Sequence, residues 1–149
     1  MIVPLALLRS LQGLSGDEPP TFAQDTERSE RLAMQAVMEA EQRLGYKPRD
    51  VSEENRGYDV ESSIPGTGRL RFIEVKGRIR EARTVTITKN EILTGLNKPD
   101  DFILAIAVID GDTVELRYVR HPFAREPDFG ATSVNYELGA LLAQSQEPA

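Results

Sequence analysis

The sequence predicts an α/β domain with a central mixed β-sheet flanked by helices, and three observations carry that expectation. Between Glu30 and Leu44, the apolar residues Leu32, Ala33, Ala36, Val37, Ala40 and Leu44 recur at three- and four-residue steps, the spacing of one helix face. From Phe102 to Ile109 the chain is continuously apolar, the mark of a strand covered on both faces. Between these segments, short β-branched and aromatic runs are separated by glycine, proline and asparagine in turn-forming positions. A chain of 149 residues suits one such domain, able to bury roughly 70% of its unfolded surface.

In chain order, residues 1–25 form an N-terminal docking segment and linker. Met1 to Leu8 is apolar but too short to span a membrane, is broken by Pro4 and lacks a basic lead. It reads as a docking strand or helix turn, or as the remnant of a longer polypeptide. Gly13 to Asp25 mixes Gly, Pro, Ser and acids without periodicity, as a linker does. The core domain covers residues 26–121. Its first helix ends at Gly45, placed for a left-handed cap. Tyr46 to Gly57 is polar, carries Pro48 and is expected to be a loop. Strands are expected at Tyr58–Ser62 and Leu70–Lys76, paired as a hairpin through Pro65-Gly-Thr-Gly68, and a third at Thr84–Ile87. A second helix follows from Thr88 to about Asn97, closed by Gly95, Asn97 and Pro99. The apolar run from Phe102 then turns at Asp110-Gly111 into a strand over Val114–Val119. Residues 122–149 are a tail whose amphipathic stretch from about Val134 to Ala143 is expected to pack as a helix. The order is αβββαββ plus that C-terminal helix.

Composition removes several function classes. With no cysteine there is neither a disulfide scaffold nor a Cys-ligated zinc or iron–sulfur site, and a single histidine rules out two-His metal sites within one chain. No export signal is present, so a cytoplasmic location is expected. The formal charge of −6 argues against a polyanionic partner. Its distribution argues otherwise. Residues 69–89 hold Arg69, Arg71, Lys76, Arg78, Arg80, Arg83 and Lys89 against only Glu74 and Glu81, a basic middle between acidic flanks.

The chemistry-bearing segment runs from Gly57 to Gly77. In Ile73-Glu-Val-Lys-Gly77 the strand period of two puts Glu74 and Lys76 on one face, and the hairpin folds Asp59 back beside them. Two converging carboxylates are a ligand set suited to Mg²⁺ or Mn²⁺, which leaves part of the shell for water and phosphate. The metal would be held by Asp59 and Glu74, and Lys76 would orient or help deprotonate an attacking water, an arrangement for cutting phosphodiesters. The bland alternative is a solvated Glu74–Lys76 pair on an edge strand, worth under about 1 kcal/mol.

Gly57-Tyr-Asp59, Phe72-Ile-Glu-Val-Lys-Gly-Arg78 and Thr88-Lys-Asn-Glu91 resemble the domain family named after the plant protein NO VEIN, of undefined function. A helicase-associated sub-family also shows the Asn97-Lys-Pro-Asp100 and Pro122-Phe123 pieces. The family is found at the C-terminal end of bacterial helicase-like and restriction or phage-defence proteins and is similar to the PD-(D/E)xK nuclease superfamily. The resemblance covers about residues 27–145 and implies a restriction-endonuclease-like core, with Asp59, Glu74 and Lys76 as its catalytic triad. It implies a further helix carboxylate, Glu41, with Glu39 and Glu30 as rivals. The proline of the motif's name is Tyr58 here.

Around this triad, Arg78, Arg80, Arg83, Lys89 and Asn90 are candidates for nucleic-acid contact, the arginines alternatively forming a solvated hairpin loop. Glu91 is either a site residue or the acid of a Thr88-x-x-Glu91 capping box. His121 reads as a surface or packing residue. The expected function is a metal-dependent DNA endonuclease-like domain that works with a helicase-type protein in DNA defence or repair. The competing expectations are a catalytically inactive nuclease-fold module that binds DNA or a helicase partner, and a docking domain that binds a helicase or a second copy as a homodimer.

Overall fold

The computed structural model describes residues 20–149, with side chains from Thr26 onward. The expected docking segment lies outside the described residues up to position 19. The first helix, α1, runs from Pro20 to Arg43, starting earlier than the apolar periodicity indicates. Its other end is as expected. Gly45 adopts φ +89, with Gly45 N–H bonded to Gln42 O and Tyr46 N–H to Glu41 O, the two bonds of a Schellman closure.

The main sheet has five strands in the order β1-β2-β3-β5-β6: β1 (Lys47–Asp50), β2 (Val60–Ile64), β3 (Arg69–Ile79), β5 (Phe102–Asp110) and β6 (Thr113–Arg120). The predicted hairpin is β2–β3, antiparallel with Val60 opposite Ile73. β3 pairs parallel with β5, Glu74 opposite Leu104 and Lys76 opposite Ile106. The crossover between these parallel strands carries β4 (Thr84–Thr88) and α2 (Lys89–Asn97). β5 is buried on both faces, as its unbroken apolar run requires.

Four expectations are corrected. Lys47–Asp50 is an edge strand, not a loop, and tolerates Pro48 because an edge needs amides on one side only. The third predicted strand, β4, is in the chain order expected but outside the main sheet; it pairs with β7 (Ser133–Glu137) in a two-stranded sheet. The tail stretch therefore splits, because Val134 and Tyr136 alternate as strand residues before the short helix α3 (Leu138–Ala143) begins. Gly95 does not close α2: a Cβ there would stand 2.8 Å from the Phe123 ring, so glycine serves close packing.

Two apolar layers sandwich the sheet. On one face Val37 of α1 packs with Val60, Ile73, Ile103, Ala105 and Tyr118. On the other, Ile87, Ile92, Leu104, Ile106, Val119 and Phe123 form the larger core under α2, α3 and the small sheet. The alternation along β3 decides what each face receives: Arg71, Ile73 and Val75 turn toward α1, while Phe72, Glu74 and Lys76 turn toward α2.

Candidate active site

Asp59, Glu74 and Lys76 come together at the free edge of β3, and the backbone explains how. The β2–β3 ladder continues one step past β2, with Asp59 N–H donating to Ile73 O at 2.9 Å. There the incoming backbone leaves, and the Asp59 carboxylate takes its place by accepting Val75 N–H at 2.9 Å. Gly57 makes this path available. It has φ +85, and a Cβ at that position would be 2.2 Å from Thr94 Oγ1, so only glycine lets the segment pass so close to α2. Tyr58, where the motif's name has proline, packs on Phe72 at 4.9 Å and donates its hydroxyl to Glu61.

Glu74 is 2% exposed. Burial first, and then the nearby Asp59 carboxylate, push its carboxyl up to about 10. Burial also raises Asp59, opposed by the Val75 N–H bond. Lys76 Nζ lies 3.2 Å from Glu74 and 3.1 Å from Glu91. Burial acts to lower the ammonium, but the two carboxylates outweigh it and its pKa is raised, so it stays charged.

These groups line a cleft of about 1140 Å³, whose wall includes seven acidic side chains and only three basic ones, Arg31, Lys76 and Arg78. Glu30 of α1 faces this cleft and Glu41 does not. The expectation that Glu41 joins the site is corrected by its position. It sits on the opposite face of the sheet, fully buried, with Arg71 donating to its two oxygens at 3.0 and 2.9 Å and the Tyr118 hydroxyl at 2.7 Å. Glu39 is exposed, accepting from Gln35. The helix phase carries the missed signal: Glu41 continues the buried stripe of Ala33, Val37 and Ala40, where a carboxylate needs a buried cation, whereas Glu30 stands beside that stripe.

The candidate nucleic-acid contacts are dispersed. Arg78 lines the cleft, half-buried, its Nε donating to Thr84 O. Arg80 turns away to Asp110 at 2.9 Å, and Arg83 is exposed. Lys89 stands 5.8 Å from the exposed ring of Phe129, while Asn90 is exposed at the start of α2 near Gly57. His121 is exposed with φ +51 and takes no part in the cleft.

A cation would find two adjacent carboxylates here. Among the described residues no group of three His, Cys, Asp or Glu is set to hold a metal. The donor set present, Asp59 with Glu74, matches a hard cation that keeps water for the rest of its shell. A second charge-based argument agrees, since a carboxylate as buried as Glu74 beside another is stabilised in its ionised form by a bound divalent ion.

The sheet order and the parallel β3–β5 pair are those of a restriction-endonuclease-like fold. The structure is similar to that of Hjc, a Holliday junction resolvase of the archaeal hyperthermophile Archaeoglobus fulgidus, at a TM-score of 0.51 and 14% identity. The match spans 77% of this chain and 96% of that one. Residues 29–119 match the family model described as "Protein NO VEIN, C-terminal", and the chain belongs to that family. No curated protein matches. No helix among the described residues is long and apolar enough to cross a membrane.

Proposed function

We propose that this chain is a metal-dependent DNA endonuclease-like domain that hydrolyses phosphodiester bonds. The observation that carries the reading is the meeting of Asp59, Glu74 and Lys76 at one edge of β3, at the wall of an acidic cleft. Asp59 and Glu74 would hold Mg²⁺ or Mn²⁺, with Glu30 of α1 as the further carboxylate of the cleft. When bound, the ion offsets charge on the phosphate and acidifies water in its shell.

The chain's own groups do the remaining work. Lys76, beside Glu74 and Glu91, would orient the attacking water, or help deprotonate it, and steady negative charge on the phosphate oxygens. Water adds to phosphorus, the bond to one deoxyribose oxygen breaks, and that oxygen takes up the proton that the water gives up. Arg78 is the residue of the basic segment placed to meet a phosphate in the cleft. DNA is the proposed substrate, and a helicase-type protein the proposed partner that delivers it, because the acidic wall gives little affinity of its own.

The runner-up, a nuclease fold kept only to bind DNA, needs Arg78 and Arg80 together on the substrate. The Arg80–Asp110 pair, outside the cleft, weighs against it. The test incubates the chain with plasmid, linear and four-way-junction DNA in Mg²⁺ or Mn²⁺. Expected is cleavage by the wild type, lost in Asp59→Asn, Glu74→Gln and Lys76→Ala. Asparagine can still accept Val75 N–H, so that variant folds. No cleavage by the wild type, or equal cleavage by the variants, overturns the reading.

A further inference from the structure

Lys76 has two carboxylate partners, and the proposed cation would compete for one of them. Glu74 would share its oxygens with the metal, whereas Glu91 does not make up, with Asp59 and Glu74, a group of three set to hold one. Glu91 is also held from elsewhere. Its Oε1 accepts Thr88 N–H at 2.9 Å, while Thr88 Oγ1 accepts Glu91 N–H at 3.2 Å, so the carboxylate belongs to the capping box that begins α2. The same oxygen lies 3.1 Å from Lys76 Nζ. Glu91 thus fills both roles that the sequence leaves open as alternatives.

We infer that Glu91 is the positioning residue for Lys76: it ties the ammonium to the rigid start of α2 and keeps it in place when a cation occupies Glu74. A long, flexible lysine side chain fixed at one end only would sample many rotamers. Here its free end is fixed to a backbone amide through one carboxylate oxygen. This inference rests on the nuclease reading for its consequence, but the contact itself is testable without it.

Two substitutions separate the roles. Glu91→Gln keeps an acceptor oxygen for Thr88 N–H but removes the charge that grips Lys76. Thr88→Ala removes the hydroxyl half of the cap and leaves the backbone amide and the Glu91 charge. In the full chain labelled with ¹⁵N-lysine, the wild type is expected to show a slowly exchanging Lys76 ammonium resonance, identified by its loss in Lys76→Ala. That resonance is expected to disappear in Glu91→Gln and persist in Thr88→Ala, although only Thr88→Ala lowers the melting temperature. In Mg²⁺, kcat of Glu91→Gln is expected to fall about tenfold or more with KM unchanged, as misplacement of a reacting group does, while Thr88→Ala keeps its kcat.

A Lys76 resonance absent from the wild type or retained in Glu91→Gln overturns the inference, as does loss of kcat in both variants in step with their melting temperatures. If the wild type cleaves no DNA, the nuclease reading fails alone, and the resonance still decides whether Glu91 holds Lys76.

Discussion

Replacing Glu41 by alanine is expected to damage folding and spare the cleft. The carboxylate is fully buried and takes two hydrogen bonds from Arg71, which is itself only 5% exposed, and one from Tyr118. Removing one partner of a buried pair costs about 3–5 kcal/mol, because the other charge is left in a poor solvent. The orphaned Tyr118 hydroxyl adds to that by about 1–3 kcal/mol. The net loss is about 6 kcal/mol, much of a domain stability that is about 5–15 kcal/mol in total. At about 2–4 °C per kcal/mol for a chain of this size, the melting temperature falls by about 12–24 °C. Urea unfolding followed by circular dichroism reads the loss directly. The triple replacement Glu41→Leu, Arg71→Met, Tyr118→Phe removes the whole polar group and should recover most of it. Glu30→Gln, on the exposed side of α1, should stay within about 0.5 kcal/mol of wild type. A Glu41→Ala loss under about 1 kcal/mol, joined by loss of any Mn²⁺-induced rise in melting temperature, would refute the structural role and return Glu41 to the site.

Gly77→Ala is expected to cost about 1–3 kcal/mol by overpacking, since its Cβ would stand 2.5 Å from the Ser29 carbonyl oxygen and force α1 away from β3; unchanged urea unfolding would show that α1 yields freely. Glu61 supplies an acid-sensitive contribution. Burial acts to raise its carboxyl, but hydrogen bonds from Arg49 and Tyr58 outweigh that and hold it below its ordinary 4.5. Its stabilisation is therefore complete above the unfolded value and is lost as pH falls through the lower folded value. Wild type should exceed Glu61→Gln in melting temperature at pH 6 and converge with it near pH 3, and a gap that stays constant between those pH values would contradict the assignment.

The parts of the fold that announce themselves in the sequence are those where one physical demand acts alone. β5 must be apolar on both sides, so Phe102 to Ile109 could be little else. The Schellman closure at Gly45 and the capping box at Thr88 are local backbone solutions carried by a few adjacent residues. β1 has no such mark. Lys47-Pro-Arg-Asp50 is polar and exposed, and is a strand only because β2 offers it an edge, a tertiary cause. At Val134 to Leu142 two periodicities adjoin, strand alternation and then a helix turn, and together they read as one amphipathic helix. The cleft shows the same division. Asp59, Glu74 and Lys76 converge as the hairpin register requires, but the choice among Glu30, Glu39 and Glu41 depended on which side of α1 meets the sheet. That face follows from Ser29, Ala33, Val37 and Ala40, and Glu41 extends it.

The two acidic residues at the edge of β3 differ in how a drifting lineage could treat them. Asp59 completes a backbone ladder through Val75 N–H, so a descendant that no longer cut anything would still keep it, and its presence is a poor diagnosis of activity. Glu74 has no backbone to serve and is buried beside the like charge of Asp59, with Lys76 Nζ 3.2 Å away. Freed from a cation, glutamine or leucine there would raise stability at neutral pH. If the proposed chemistry is this chain's, position 74 is where its abandonment would first be written into the sequence, and what stands there is glutamate.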